Sequence, residues 1–460
     1  MLSTVGCRLP HRRVLDRLVA AGAEVDYATA QAKLPRELVE AAILAATGGR
    51  RITPEDRFQA GLLRGRHVGL GPGSQANIVD YQATQRRRGT VEDVIKGLVL
   101  CNELRYVRSA TPLVTPADVP QHLSDVYGYY LCSLYARKPH SAFVFTPEAA
   151  RLIMRLAELK AQGESARVAY LLEPNGALSY DDFSLEMALT FVEAGHSFWV
   201  GPMAMAGLDA PITLAGTLVM QNAYNLIANV VAYLWDTQCG WLATAHTMDL
   251  RSALCSFGSP NQVLLGLAGA QLGNWYGFET TANCALTDAC RPDFQAGFEK
   301  GISAMTMLLA GCGFGAQGIV GADQGISFEQ LVIDNEWASA LDHIFSHGLA
   351  VSEETLAVDV IQRVGILGNF LSDEHTIRHM RDTYWRSAVF NYESWDAWMA
   401  RGGKDAYARA HEEVERILAN HYPPQPVVDE AVRRELDALI ADAMAHPGRF
   451  EAERYHYPLP

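Results

Sequence analysis

The chain has 460 residues, of which 52 are Asp or Glu and 38 are Lys or Arg, for a net charge of −14. That balance argues against a nucleic-acid partner, because phosphate contacts need clustered Lys and Arg; the one compact basic run, "QRRRG" (Gln85–Gly89), reads as a solvated face. Hydrophobic residues make up 49% and charged residues 20%, the ordinary composition of a soluble globular enzyme.

In chain order, "PHRRVLDRLVAAGAEVD" carries apolar residues at helical spacing and meets a glycine where a helix would stop. "PRELVEAAILAA" is a second such segment, with Pro35 suited to a helix start. "LGPGSQANIVDYQ" is turn-rich and reads as a passage into the main domain. The chain does not open on a basic stretch followed by an apolar one, so no secretory leader is expected. The longest apolar run, "LIANVVAYLW" (Leu226–Trp235), is too short to span a bilayer. The eight cysteines lack tight repeated spacing and suit reduced, buried residues of a cytoplasmic protein.

From Ser141 onward short β-prone runs alternate with helical patterns. The runs are "SAFVF", "VAYLLE", "SFWVG", "PITLAG", "GWLATAH", "FETTANCA" and "MTMLLAGCGFG". Between them lie "TPEAARLIMRLAEL", "SLEMALTFVEA", "GTLVMQNAYNLIANVVAYLW", "SPNQVLLGLAGAQLGNWY" and "RPDFQAGFEKGISAM", and "LAVSEETLAVDVIQRVG" offers a further unit. Such alternation predicts parallel strands with right-handed crossovers. Seven or eight units over roughly 230 residues suit a (β/α)8 TIM barrel, with a doubly wound open sheet as the competitor. The tail, with "SDEHTIRHMRDTYW", "KDAYARAHEEVERILAN" and "DEAVRRELDALIADAMA", reads as charged amphipathic helices that cap the barrel or a second subunit. The expected α/β organisation is a helical segment over 1–75, a catalytic barrel over 76–370 and a helical extension over 371–460.

The stretch Leu286–Gly318 admits three readings. Gly313-Phe-Gly315-Ala-Gln-Gly318 is a literal G-x-G-x-x-G with Asp334 further on, but a dinucleotide site needs a helix that begins inside the glycines. Here Gly321 and Gly325 follow, and the next helix start is Ser327-Phe-Glu-Gln330, at capping-box spacing. Cys284, Cys290 and Cys312, with Asp288 and His246, offer metal-binding atoms without the close Cys pairs of zinc thiolate sites. The third reading fits best: strand, loop, helix and next strand of one barrel repeat, with polar loop residues at the active face.

"APITLAGTLVMQNAYNLIANVVAYL", "LTDACRPDFQAGFEKG", "MLLAGCGFGAQG" with "SFEQLVIDNE", and "VGILGNFLSDEHTIRHMR" together resemble the trimethylamine methyltransferase superfamily, in order and over nearly the whole chain. The resemblance implies a (β/α)8 barrel that passes a methyl group from a methylamine to a corrinoid carried by a separate small protein. Members with pyrrolysine carry it in the region matching the loop after Gly311; this chain has only standard residues there. It therefore resembles the branch that acts on quaternary amines such as glycine betaine. One departure is "EPNGALSYDD" (Glu173–Asp182), where many members have a proline-rich loop.

A quaternary ammonium is already charged, so methyl transfer to Co(I) needs neither a catalytic acid nor a metal. Aromatic faces and a carboxylate are its natural partners. Candidate substrate-binding residues, by position at strand ends and loops, are Glu173, Trp199, His246, Tyr276, Asn283, Asp288, Phe314 and Gln317, with Asn175, Phe278 and Gln295 as lesser candidates. Asp293 suits the first turn of the next helix better than catalysis. Alternatives are a ligand-binding barrel without turnover and a zinc-dependent thiol methyltransferase built on "AGCGFG". The expected partners are the corrinoid protein, a small quaternary amine and further copies of the chain, with no cofactor bound tightly to this chain and no membrane.

Overall fold

The computed structural model describes residues 1–50, 73–163, 166, 168–315 and 317–451, and only the backbone of Phe314, Ser346 and His347. The N-terminal segment is not purely helical, as the sequence pattern suggests. β1 (Cys7–Arg8), α1 (Arg12–Ala20), β2 (Glu24–Asp26) and β3 (Gln31–Lys33) make an antiparallel sheet, order β1-β3-β2, with one helix. Strands this short show no alternation to read. α2 (Arg36–Thr47) begins after Pro35 and ends at Gly48 in the left-handed conformation that favours glycine.

The main body begins with β4 (Asn77–Ile78), β5 (Arg87–Arg88), α3 (Val91–Glu103) and α4 (Ser124–Tyr135). It continues as α5 (Pro147–Ala161), β6 (Ala169–Leu172), α6 (Asp182–Glu193), β7 (Ser197–Val200), β8 (Met205–Ala206) and α7 (Leu214–Leu234). Then come β9 (Trp241–Ala243), β10 (His246–Asp249), β11 (Leu254–Ser256), α8 (Pro260–Tyr276), β12 (Thr280–Ala282) and α9 (Phe294–Leu309). β13 (Gly313–Phe314), the hairpin β14 (Ile319–Val320) and β15 (Gly325–Ile326), and α10 (Phe328–Asp342) close the body. The N-caps explain many boundaries: Thr90, Thr146, Asp181, Asp293 and Ser327 each accept a first-turn N–H with the side chain. Three expected strands are absent. "SAFVF" (141–145) forms no strand and leads straight to the Thr146 cap of α5. "PITLAG" runs into α7, and Met305–Leu309 continues α9, because nothing breaks that helix before Gly311.

The longer parallel pairings are β6 with β7, and β12 with β9 on one side and β13 on the other. Single parallel bridges join Gln75 to Val114, Ala110 to His140 and Ile326 to Ile78. Among the described residues these pairings do not close into one eight-stranded ring. α7 supplies a physical reason. Asn225 donates to Leu242 O (3.0 Å) and accepts from Leu242 N (3.2 Å), and Asn229 donates to Gly240 O (3.1 Å). The edge of β9 is thus satisfied by helix side chains, and β7 reaches this segment by one bond, Val200 N to Cys239 O at 3.3 Å.

α8 packs closely on this sheet because it carries glycine. A Cβ on Gly273 would lie 2.2 Å from Thr280 and 2.5 Å from the Trp241 ring. "LAVSEETLAVDVIQRVG" forms two short helices, α11 (Glu353–Leu356) and α12 (Val358–Val364), and no strand. α13 (Glu374–Thr383) and α14 (Trp395–Ala400) lead to α15 (Ala406–His421), joined to α10 by His411 Nδ1 and Glu329 Oε1 at 2.9 Å. α16 (Glu430–Ala445) is joined to α4 by the Tyr130 hydroxyl, which donates to Asp437 at 2.6 Å. No helix among the described residues is long and apolar enough to cross a membrane.

Candidate functional site

Alternation along β6 and β7 sorts their side chains. Leu172, Phe198 and Val200 are buried, whereas Trp199 remains 51% exposed. Leu171 pairs with Trp199 across the two strands, so Glu173 and Gly201 follow them on the same face. Both glycines nearby exist to leave room. A Cβ on Gly201 would lie 3.0 Å from Glu173 Cγ, and one on Gly240, at φ +71°, would lie 2.9 Å from the Trp199 ring. Leu171, Trp199, Phe143 and Leu242 line a cavity of about 610 Å³ together with Thr111 and His140. Glu173 stands just beyond this wall. It keeps access to solvent, makes no hydrogen bond or ion pair among the described residues, and its carboxyl is raised above the usual range by partial desolvation.

A second carboxylate comes from the β14–β15 hairpin. Asp323 accepts from Gln75 Nε2 at 2.6 Å. Burial pushes its carboxyl up to about 6; the Gln75 hydrogen bond opposes this, the Glu173 charge adds to it and Lys300 opposes it again. The two acids therefore repel one another, and Lys300, itself paired with Asp334, offsets part of that on Asp323.

Other expected site residues are spent on structure. His246 is fully buried, its ring tilted by 45° against Phe257 with centroids 4.2 Å apart, with Nε2 3.1 Å from Asn283 Nδ2 and Nδ1 3.4 Å from Ser256 O. With the Asn283 amide as donor to Nε2, the proton sits on Nδ1. Burial holds the imidazole down to about 4, hence neutral at physiological pH. Asp288 accepts from Ser256 Oγ (2.6 Å) and Phe257 N (2.7 Å) and so braces two loops. Gln295 donates to Glu299, and Asp293 caps α9 through Ala296 N at 2.9 Å. Asn175 closes a turn to Ser179.

Tyr276 ends α8 before β12 begins, at the opposite end of that strand from Asn283, with its ring 5.2 Å from Trp241. Phe278 stacks on Trp241 at 5.3 Å in the core. Neither reaches the carboxylates, because closeness in sequence to a strand does not choose its end. Phe314 lies on β13, and its side chain is outside the described residues. Gln317 is fully buried and its amide has no partner among the described residues.

The glycine-rich loop is not a nucleotide cradle. Gly318 N donates to Asp334 at 2.8 Å, and Asp334 pairs with Lys300 at 3.0 Å, both side chains fully buried. The next helix starts at Ser327, beyond the loop. Cys284 and Cys312 share a buried core cluster, while Cys290 is exposed.

A sequence model of the family described as trimethylamine methyltransferase matches residues 1–448. The chain belongs to this family. It is a methyltransferase. A trimethylamine methyltransferase of Desulfitobacterium hafniense is 29% identical over 455 residues, covering 96% of this chain and 90% of that protein. A glycine betaine methyltransferase of the same species is 26% identical, covering 96% and 93%. A trimethylamine methyltransferase of Methanosarcina barkeri is 34% identical over 277 residues, 59% of this chain and 55% of that protein. The solved structure of the Methanosarcina barkeri monomethylamine methyltransferase aligns at a TM-score of 0.41 and 10% identity, covering 90% of this chain and 96% of that one.

For a member of this family the chemically available groups are therefore the Trp199 face, the Glu173 and Asp323 carboxyls, and the unpaired Gln317 amide. Asp323 and Gln75 escape sequence reasoning because they lie 248 positions apart. The amides that fix β9 had a signal: Gln221, Asn225 and Asn229 fall at i, i+4 and i+8 in an apolar helix. Gln221 Oε1 accepts from Ala245 N at 2.6 Å, beside His246.

Proposed function

We propose that the chain moves a methyl group from a small quaternary amine, glycine betaine or a related betaine, to the Co(I) of a corrinoid carried by a separate protein. The observation that carries this reading is Glu173, a carboxylate without a cation partner among the described residues, on one face with Trp199 and close enough to Asp323 for its charge to raise that carboxyl. A quaternary ammonium has no N–H to donate, so an aromatic face and a carboxylate suit it. The unpaired Gln317 amide is the candidate donor to a betaine's carboxylate.

The chemistry asks for no proton. The cobalt electron pair forms the bond to the methyl carbon as the C–N pair withdraws to nitrogen, and a neutral tertiary amine leaves. The chain's own work is to hold the cation, aim one methyl outward and exclude water. A neutral His246 and an acid cluster fit that division of labour. Because the acceptor arrives on another protein, the solvent access kept by Glu173 is the approach it needs.

We further place the parallel segments as staves of a (β/α)8 barrel within a catalytic unit over 76–370. The succession of parallel bridges from Gln75 to β13 supports this. Glu173, Asn283 and Gln317 then fall at strand C-terminal ends, where such barrels carry their sites.

The test is anaerobic mixing with cob(I)alamin and, in turn, glycine betaine, proline betaine, carnitine, γ-butyrobetaine, choline and trimethylamine. Loss of the Co(I) absorbance with a quaternary amine is expected. No loss, and no rise in melting temperature with any of them, would overturn the reading.

A further inference from the structure

Residues 348–384 leave the end of α10 and return to it at Trp385. Val360 is the one buried residue among them. The segment is nonetheless built. Ser352 and Thr355 cap α11 reciprocally, one Nη of Arg363 holds both Asp373 oxygens at 2.8 and 2.9 Å, and Thr376 Oγ1 donates to Phe370 O at 2.7 Å. Its return is anchored by Trp385 Nε1, which donates to Ser339 Oγ at 3.0 Å, and by Ser387 Oγ, which donates to Glu336 at 2.6 Å. What it lacks is a core. Leu349, Val351, Ile366, Leu367, Leu371 and Ile377 all point to solvent.

We propose that this arm is an interface with a second copy of the chain. Its apolar side chains offer on the order of 1,000 Å². That exceeds the ~300–600 Å² of the largest patch on a typical monomer and matches the ~800 Å² that each partner gives a standard interface. Helices as short as α11, α12 and α13 do not persist in water without a packed face. Leu367 also holds φ +63°, a costly conformation for a branched side chain that needs surroundings to maintain it. The arm must therefore be covered permanently. A protein that comes and goes, such as the carrier of the methyl acceptor, would leave it bare between encounters. The Leu, Ile and Val composition is that of a permanent interface, which resembles a domain core cut in two. A permanent cover is met most simply by the chain itself, since most soluble oligomers are homo-oligomers of closed symmetry. This inference does not depend on the substrate reading.

The experiment is light scattering coupled to size exclusion on the full chain and on the double variant Ile366→Asp, Leu367→Asp. The full chain is expected at twice the monomer mass or a higher multiple, and the variant at monomer mass with unchanged far-ultraviolet circular dichroism. Hydrogen exchange on the unaltered chain, which needs no variant to fold, should show residues 349–384 protected. A monomeric full chain overturns the proposal, and so does a variant that keeps the oligomeric mass. Protection of the arm in a monomer would mean that another segment of the same chain covers it, which also overturns it.

Discussion

Replacing Glu173 with Gln removes one negative charge and almost no volume. The carboxylate has no hydrogen-bond partner among the described residues to strand, so the fold should survive the change. For a ligand cation about 5 Å away and an effective dielectric near 20, the attraction is roughly 3 kcal/mol. Solvent reaches Glu173, which reduces this to about 1–2 kcal/mol, or roughly 5–30-fold in affinity. As the methyl leaves, the ammonium loses its charge, so the carboxylate favours bound substrate over the transition state. Glu173→Gln should therefore raise KM by that factor and leave kcat unchanged or higher. Initial rates of cob(I)alamin consumption against amine concentration measure both, with the melting temperature as a folding control. An unchanged KM would refute the cation site. A lower kcat at unchanged KM would refute the charge argument.

Asp323, pushed up to about 6, holds its proton more tightly in the fold than in the unfolded chain. Its stabilising contribution is complete below the ordinary carboxylate pKa of about 4 and is lost as pH rises through about 6. Asp323→Asn should raise the melting temperature more at pH 8 than at pH 5; the reverse order would count against the buried-acid account. His246, held down to about 4, acts in the opposite sense. It supports the fold above the ordinary histidine pKa of about 6.5 and opposes it as pH falls towards 4, so His246→Asn should lower stability near pH 8 and flatten the acid-side loss in a pH series of thermal melts. Lys300→Met strands the buried Asp334 carboxylate and should cost about 3–5 kcal/mol in urea unfolding, and a loss under ~1 kcal/mol would mean that the pair does not hold the loops as argued.

Much of this is legible in the residues. α5 through α9 lie where apolar periodicity and capping residues place them, because long amphipathic segments with N-caps resist other conformations. Asp293 caps its helix, as its place beside Pro292 suggests. Glu173 and Trp199 stand at or just past short β-prone runs, and two-residue alternation puts them on one face. The N-terminal sheet, the β10–β11 pair and the β14–β15 hairpin are too short to carry a period, and the hairpin brings Asp323.

By itself, then, the sequence determined the long helices, several of the short strands between them and the family, because local propensity, capping and motif order are properties of neighbouring residues. Which polar side chains remain free was decided only in the tertiary structure. Asp288 is consumed by Ser256 and Phe257, and His246 by Asn283 and Ser256, while Glu173 is left unpaired. A side chain's hydrogen bonds depend on groups tens or hundreds of positions away, and no local pattern records whether those partners arrive.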